Sequence, residues 1–453
     1  MERIKDWKSY QKTLNKRKNK KNRFVYFAKY ISLLVLAGVF LYGFVKFYYY
    51  GRHFFLSKNK PVLGTGIRPI KFIKASAVLK KRGFNGFSSD EVNSLKSLKR
   101  YFKYHNPVFK TIKNGRYIQK IGNYTVVYTV VPSVQEEAEK VFKEYAVPYG
   151  VLAAVNPETG AVLGFALYAH NKKKSAEISP LIAYPPGSIA KIITATAAIE
   201  SKGFYPGFNI CFNGTLYGTD KTNWEQNIGT GSNDISFKEA FAKSCDVAFG
   251  KIAGYYVGRK LLFRYFDKFN FNKKIPFILN LQESKAYIPK KFYQLELTGA
   301  GFENVRITPI QAAMVAGVAI NGGRLIEPYI IKEIMSTTGK IIYKHKGIKV
   351  IGYPVTLKTA YVLKQMMIAT VTNGIAHSDF YSYNGSYMLP GVVTGGKTGT
   401  ISGNHPTGLY QWFAGFGEEN KKKIALSALV VEKPVWRIEG GGVSEKTLLA
   451  YFF

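Results

Sequence analysis

The chain is poor in the residues that bind metals or form disulfide frameworks. Its 453 residues include only two cysteines, Cys211 and Cys245, too few for a disulfide-rich scaffold or a cysteine-ligated zinc or iron–sulfur site. The six histidines form no H-x-x-x-H or E-x-x-H cluster, so no metal-ligand set is visible. We therefore predict neither a metal nor another cofactor. Cys245 is expected to pack as a small buried hydrophobe rather than to pair with Cys211.

Acidic residues are also scarce. The chain has 65 Lys and Arg against 28 Asp and Glu, a formal net charge of +37. Such an excess favours phosphate-rich partners, and nucleic acid is the first candidate. Hydrophobic residues make up 46% and aromatic residues 15% of the chain, which excludes wholesale disorder. The length predicts about two to three domains.

The N-terminal segment predicts the compartment. Residues 1–23 hold ten Lys or Arg and two acids, a local charge of +8, and residues 24–50 have an apolar centre with aromatic residues at both ends. This second stretch can cross about 30 Å of hydrocarbon. The basic lead is too long for a signal peptide and no A-x-A site follows, so we interpret 24–50 as a transmembrane anchor. The positive-inside rule then places 1–23 in the cytoplasm.

This topology changes the interpretation of the charge. The rest of the chain carries the remaining +29, of which Lys29 and Lys46 lie in the anchor, so the residues after the anchor, which would lie outside the cytoplasm, carry +27. Anionic lipid head groups, wall polymers or diphosphate-linked lipids are then the natural partners, and nucleic acid is not.

The chain is predicted to have four segments. They are a basic cytoplasmic tail (1–23), the anchor (24–50), a small β-rich juxtamembrane module (51–122) and a large domain (123–453). In the large domain, helices are predicted over 135–145, 189–202, 247–256, 309–320 and 444–453, with a capping box at 236–239. Strands are predicted as a hairpin, 149–155 with 161–168, and as a later meander, 392–401, 409–416 and 423–432. This order predicts an α+β fold with an antiparallel β-sheet packed against helices.

Serine followed three residues later by lysine occurs three times, at Ser9, Ser57 and Ser188. Only Ser188 is placed at a predicted helix start, after the break at 185–187. Exposed N–H groups and the helix dipole at such a position favour a developing oxyanion. Lys191 follows one turn later on the same face, and an apolar setting would allow it to act as the base for the serine.

Two further motifs follow in order. Ser244-Cys245-Asp246 lies between two predicted short helices, and Lys397-Thr398-Gly399-Thr400 is the only K-T-G sequence in the chain. Glycine within this predicted strand allows close approach of a substrate to the backbone. The rival S-x-N triplets that begin at Ser382 and Ser402 lie in predicted loops on either side of K-T-G, and we set them aside.

The ordered set S-x-x-K, S-x-N/D and K-T-G resembles the penicillin-recognising serine acyltransferases, that is, penicillin-binding transpeptidases and serine β-lactamases. Several satellite stretches resemble the transpeptidase branch: 156–160, 244–249, 298–301 with 307–311, 321–323 and 412–415. The resemblance covers 133–453. Because no glycosyltransferase pattern E-D-x-x-F accompanies it, the chain is similar to the class B, transpeptidase-only type, which implies the penicillin-binding transpeptidase fold.

The resemblance implies a role for each motif residue. Ser188 would be the nucleophile and Lys191 its base, while Ser244 would relay a proton to the leaving amine. The substrate carboxylate would be held by Lys397, Thr398 and Thr400, with Gly399 between them, and the N–H groups of Ser188 and Thr400 would form an oxyanion hole. Asp246 stands where asparagine is commoner, and we expect it to pair mainly with Lys397 or with the substrate amide. Trp412 is expected to pack in the core.

The implied activity is a peptidoglycan D,D-transpeptidase that is inhibited covalently by β-lactams and acts on stem peptides. A D,D-carboxypeptidase or a β-lactamase would use the same residues, and a non-catalytic β-lactam sensor or wall scaffold is a third possibility. Class B membership also implies a membrane-embedded polymerase partner of the shape, elongation, division and sporulation (SEDS) type. The catalytic domain would then lie on the outer side of the bacterial cytoplasmic membrane.

Overall fold

The computed structural model describes residues 92–224, 231–432 and 436–453. The helices are α1 (Leu95–Tyr101), α2 (Pro132–Glu144), α3 (Lys191–Lys202), α4 (Lys221–Trp224), α5 (Phe237–Ala242), α6 (Asp246–Lys251), α7 (Gly258–Lys268), α8 (Phe292–Ala300), α9 (Pro309–Gly317), α10 (Leu357–Thr372), α11 (His377–Phe380) and α12 (Gly440–Phe452). Two 3₁₀ turns cover Lys172–Glu177 and Gly187–Ala190, and a π-helical turn covers Ile252–Val257.

The strands are β1 (Thr111–Lys113), β2 (Arg116–Ile121), β3 (Tyr124–Tyr128), β4 (Tyr149–Val155), β5 (Val162–Ala169), β6 (Asn209–Phe212), β7 (Asn233–Ser236), β8 (Lys285–Ala286), β9 (Val305–Arg306), β10 (Leu325–Ile326), β11 (Ile331–Ser336), β12 (Ile341–Lys344), β13 (Val350–Gly352), β14 (Val393–Asn404), β15 (Thr407–Glu419) and β16 (Lys422–Glu432). The described strand pairs within the sheets are all antiparallel. The α+β class predicted from the sequence is confirmed.

The central sheet has the strand order β14-β15-β16-β4-β5. It joins the C-terminal meander to the earlier hairpin through the pairing of β16 with β4. Alternate residues of β4 enter two separate cores, Val151 and Ala153 in one and Leu152 and Ala154 in the other. Helices α2 and α12 cover the second core, whereas α9 and α3 contribute to the first. Both faces of the sheet are therefore covered, and β14 is one of its two edge strands.

A second five-stranded sheet has the order β1-β2-β3-β11-β12. It unites strands that are about 200 positions apart in the chain, as in the pairing of Tyr128 with Ile331. The predicted segment boundary between 122 and 123 falls in the turn between β2 and β3, which pair directly with each other.

The predicted helices are present with shifted ends. The 189–202 helix is preceded by the 3₁₀ turn Gly187–Ala190, and the 247–256 helix is α-helical to Lys251 and π-helical from Ile252. The last helix begins at Gly440, four residues earlier than predicted. Helix α10 was not predicted, because its apolar residues lie on more than one face and give only a weak period.

No helix within the described part of the chain is both long and apolar enough to span a membrane. The predicted tail (1–23), the predicted anchor (24–50) and most of the predicted juxtamembrane module (51–91 of 51–122) lie outside the described residues. Cys211 and Cys245 are both free thiols, and Cys245 is buried as predicted.

Candidate active site

Ser188 lies in the 3₁₀ turn that leads into α3, not at the first residue of the α-helix. Two close backbone approaches and one side-chain hydrogen bond hold this turn. A Cβ atom on Gly301 would lie 2.0 Å from Gly187 O, and one on Gly399 would lie 2.4 Å from Pro186 O. On the far side, Trp412 Nε1 donates to Pro185 O at 2.8 Å. Glycine at 301 and 399 is therefore required for the turn to sit between α8 and β14.

Lys191 is the first residue of α3 and is fully buried. Its Nζ donates to Asp246 Oδ1 at 2.5 Å and to the carbonyl oxygen of Ser244 at 2.9 Å, and it lies 3.3 Å from Ser244 Oγ. The burial expected from its apolar neighbours is confirmed. These three acceptors orient the amine toward the S-x-D motif.

Ser244 lies in the bend between α5 and α6 with a φ of +58°. Its left-handed backbone ends α5, since Ser244 N donates to Phe241 O and Cys245 N donates to Ala240 O. Positive φ is costly for a non-glycine residue, and such strain concentrates at functional sites. The conformation turns the Ser244 carbonyl and hydroxyl together toward Lys191.

Lys397 approaches Ser244 from the opposite side. It lies on β14 across from Ala414 and is fully buried. Its Nζ lies 2.9 Å from Ser244 Oγ and donates to Thr398 O at 3.1 Å. The structure thus places Lys191 of S-x-x-K and Lys397 of K-T-G beside the same hydroxyl group, that of Ser244.

The remaining K-T-G-T residues line the edge of β14. Thr398 is 9% exposed, with Oγ1 3.5 Å from Lys397 Nζ, and Thr400 is exposed to solvent. Gly187 packs against the Thr400 backbone, so the Ser188 turn and this part of β14 lie side by side. The assignment of Thr398, Gly399 and Thr400 to substrate binding stays a prediction.

Asp246 was expected to pair with Lys397 or with the substrate amide; the pairing with Lys397 was wrong, and the pairing with the amide stays a prediction. The Asp246 carboxylate forms an ion pair with Lys191, not with Lys397. The physical reason is that Asp246 is the first residue of α6, where its side chain faces the start of α3, while Lys397 is occupied by Ser244 and Thr398. The rival at Ser382 is half-buried and hydrogen-bonds locally to Asn384 and Ser386, so it does not enter this cluster.

Burial governs the electrostatics of the cluster. It raises the pKa of Asp246, and the nearby charges of Lys191 and Lys397 oppose that rise. Burial, with repulsion from Lys191, lowers the pKa of Lys397 well below its ordinary value. Burial at this site therefore favours the uncharged amine of Lys397.

Two aromatic rings that sequence reasoning missed lie against the lysines. Lys191 Nζ is 5.6 Å from the centre of the Phe249 ring, and Lys397 Nζ is 5.7 Å from that of Phe241. Phe241 lies three residues before Ser244, and Phe249 lies three residues after Asp246, so helical spacing around the motif could have identified them. Trp412 is 2% exposed, which confirms its packing role.

Helix α10 also escaped sequence reasoning, although it touches all three motif-bearing elements. At its N-terminal end, Thr356 N and Oγ1 donate to Glu200 Oε1 on α3. Beyond its C-terminal end, Ile375 N donates to Ala242 O, two residues before Ser244. Along its length it packs on β14, where a Cβ atom on Gly395 would lie 2.9 Å from the Ile368 backbone nitrogen. Helix α10 therefore contacts and supports all three elements that carry the motif residues.

The arrangement combines a serine at a turn with two buried lysines that approach one hydroxyl group, and such groups can carry out nucleophilic acyl transfer. Among the residues described by the structure, no group of His, Cys, Asp and Glu is placed to hold a metal ion.

The penicillin binding protein transpeptidase domain model matches residues 150–451. Among curated proteins, the peptidoglycan D,D-transpeptidase PbpA of Mycolicibacterium smegmatis is 26% identical, over 62% of this chain and 61% of its own length. The stage V sporulation protein D of Bacillus subtilis is 25% identical, over 65% of this chain and 47% of its own length. The chain thus spans about half to two thirds of these relatives.

Solved structures show the same fold. The crystal structure of PBPA from Mycobacterium tuberculosis aligns with a TM-score of 0.61 at 22% identity, over 72% of this chain and 80% of that one. A structure of penicillin-binding protein A from M. tuberculosis as an imipenem acyl-enzyme complex aligns with a TM-score of 0.59 at 22% identity, over 72% of this chain and 79% of that one.

Proposed function

The chain belongs to the penicillin-binding protein transpeptidase family, and on that premise we propose that it is a peptidoglycan D,D-transpeptidase. The observation that carries the proposal is the convergence of Lys191 and Lys397 on the hydroxyl of Ser244. The relative named peptidoglycan D,D-transpeptidase PbpA supports this activity over a purely structural role.

In the proposed reaction, Ser188 Oγ attacks the carbonyl carbon between two D-alanines of a stem peptide. The new O–C bond forms as the serine proton passes to the buried amines through Ser244. The C–N bond then breaks, and the terminal D-alanine leaves with a proton returned through Ser244. An amine of a second stem peptide then attacks the acyl carbon: the new N–C bond forms, the bond from that carbon to Ser188 Oγ breaks, and the proton lost by the amine returns to Ser188 Oγ through Ser244.

Lys397, Thr398 and Thr400 would bind the terminal carboxylate of the donor peptide, because a lysine and two hydroxyls offer charge-assisted hydrogen bonds at the strand edge. The backbone N–H groups of Ser188 and Thr400 would stabilise the oxyanion. The close packing of Gly187 on Thr400 supports this pairing, since it brings the two backbones together.

Covalent labelling by a fluorescent penicillin tests the first step. We expect the wild-type chain to carry the label after denaturation and Ser188→Ala to carry none. Ser57→Ala is the matched control, because it removes another serine that precedes a lysine by three residues, and it should label like wild type. An unlabelled wild type, or a labelled Ser188→Ala variant, would refute the proposal.

The acceptor distinguishes cross-linking from hydrolysis. A stem pentapeptide incubated with the full chain and an amine acceptor should give a peptide dimer with release of D-alanine, resolved by mass spectrometry. Release of D-alanine with a tetrapeptide as the only product would instead identify a D,D-carboxypeptidase. Rapid turnover of the penicillin label would identify a β-lactamase.

The proposal extends to the location of the enzyme. Residues 24–50 would anchor the chain in the bacterial cytoplasmic membrane, with 1–23 inside and the catalytic domain outside, beside a SEDS-type polymerase. The basic lead and the apolar stretch that follows support this topology. A periplasmic reporter enzyme fused after Phe453 should be active and the same reporter fused after Arg23 inactive, and the opposite pattern would refute the topology.

A further inference from the structure

Two buried lysines at this site share a single carboxylate. Lys191 and Lys397 are both fully buried, and their Nζ atoms lie 3.3 and 2.9 Å from Ser244 Oγ. Asp246 is the carboxylate beside them. Two ammonium groups and one carboxylate would leave an uncompensated buried positive charge, which is costly, and loss of one proton removes it. Burial therefore favours an uncharged amine at one of the two lysines.

Asp246 decides which lysine keeps its proton. Lys191 Nζ lies 2.5 Å from Asp246 Oδ1 and also donates to the Ser244 carbonyl. Lys397 Nζ contacts only uncharged oxygens, those of Ser244 and Thr398. The neighbouring aromatic rings do not favour the charged form of one lysine over the other, because each Nζ atom lies at nearly the same distance from a ring centre. The ion pair thus stabilises the charged form of Lys191 more than that of Lys397, on which the Asp246 carboxylate acts without direct contact.

The other titratable groups that face the cluster do not change this balance. Burial raises the pKa of the Cys245 thiol to about 11, and burial together with Asp246 raises that of the Tyr217 phenol. Both groups are uncharged near neutral pH. Burial and the charge of Lys191 lower the pKa of Lys397, in agreement with the geometry.

We propose that Asp246 holds Lys191 as an ammonium ion and thereby makes Lys397, reached through the Ser244 hydroxyl, the proton acceptor of acylation. This assignment rests on the proposed serine acyl-transfer function. As the bond from Ser188 Oγ to the carbonyl carbon forms, the proton of Ser188 moves to Ser244 Oγ, and the proton of Ser244 moves to the lone pair of Lys397 Nζ. When the C–N bond breaks, Lys397 returns the proton through Ser244 to the leaving amine.

The same assignment joins substrate binding to catalysis. A donor peptide that places its carboxylate against Lys397 would stabilise the ammonium ion that Lys397 becomes during attack, so a substrate that ends in a carboxylate promotes its own acylation. Asp246 acts as a positioning residue, because it works through the charge of Lys191 without accepting the proton itself.

Lysine NMR tests the assignment directly. The full chain, labelled with ¹³C at lysine Cε and held in detergent micelles, is titrated around neutral pH, and the Lys191 and Lys397 signals are identified by their loss in Lys191→Arg and Lys397→Arg. Lys251, a third buried lysine whose pKa burial lowers, is identified with Lys251→Met. We expect the Lys397 signal at the position of a neutral amine and the Lys191 signal at that of an ammonium ion. Two ammonium signals, or the reverse assignment, would overturn the proposal.

The Asp246→Asn variant tests the cause. With the carboxylate gone, the Lys191 signal should move toward the neutral-amine position, and the pH at which acylation reaches half its maximum should fall. Asp234→Asn is the matched control, since Asp234 is exposed on β7, and it should leave both readouts unchanged. An unmoved Lys191 signal overturns the role of Asp246 even if Ser188 is acylated normally. Absence of penicillin labelling in wild type refutes the proposed function instead.

Discussion

Replacement of Gly399 by alanine tests how tightly the K-T-G strand and the nucleophile turn are fitted together. A Cβ atom at this position would lie 2.4 Å from Pro186 O and 3.1 Å from Ile189 Cγ1. Ordinary van der Waals contact begins near 3.4 Å, so β14 and the turn must separate by about 1 Å. The backbone of Gly399 is not left-handed, so the cost is steric and not conformational.

The displacement should affect both stability and chemistry. Overpacking of this kind lowers the free energy of unfolding by about 1–3 kcal/mol. A misplacement of about 1 Å between catalytic groups slows a reaction by about 100-fold. We therefore expect Gly399→Ala to melt at a lower temperature and to be acylated by fluorescent penicillin about 100 times more slowly than wild type.

Gly352→Ala is the matched control, because the nearest atom to its new Cβ would be 3.6 Å away and its φ is not positive. It should melt and label like wild type. If Gly399→Ala is acylated within about threefold of the wild-type rate, the close approach does not position the site, and the argument from Gly399 is refuted. The time course of labelling in a stopped-flow or quenched assay measures this rate.

Three further predictions follow from single side chains. The free energy of unfolding of Ser244→Gly should be about 1 kcal/mol larger than that of Ser244→Ala, because glycine adopts a φ of +58° without strain. Both variants should lose acylation. Equal melting temperatures for the two variants would contradict the argument that Ser244 is strained. Glu200→Ala should lower the melting temperature and Glu200→Gln less so, because Glu200 Oε1 accepts two hydrogen bonds from Thr356. Those bonds, against the opposing effect of burial, hold the pKa of Glu200 below its ordinary value, so this stabilisation should disappear as the pH falls through that lowered pKa. Burial and the charges of Glu439 and Glu445 raise the pKa of Asp379 to about 7, so the folded state retains a proton that the unfolded state loses. Stability should therefore fall as the pH rises from about 4 to 7. In thermal melts, Asp379→Asn should make this dependence on pH weaker.

The fold could be predicted from sequence where local signals are strong. The turn at 156–160 lies between two apolar runs, and the hairpin β4–β5 formed there with nearly the predicted ends. The meander strands were also predicted, although each extends one to three residues further at one or both ends. Helix α10 could not be predicted, because it is buried on several sides and its apolar residues have no simple period.

The candidate site could likewise be predicted only in part from the sequence. The order of the three motifs identified Ser188, Lys191, Ser244 and Lys397, since each motif is a short local pattern. The partner of Asp246 could not be identified, because both lysines were equally available in the sequence and the distance between elements is set by packing. Gly301 lies in the satellite stretch 298–301, but its structural role could not be predicted from that pattern. The role follows from the contact with Gly187, which leaves no room for a side chain at position 301.

The sequence by itself determined the class of fold and the charge excess and predicted the reactive groups, because these depend on residue type and on spacing within one element. The tertiary structure decided which buried lysine is paired with Asp246, and so which amine is left beside uncharged oxygens. That choice depends on how α3, α6 and β14 meet around Ser244. Such a meeting is fixed by side-chain packing between distant parts of the chain, which no local pattern encodes.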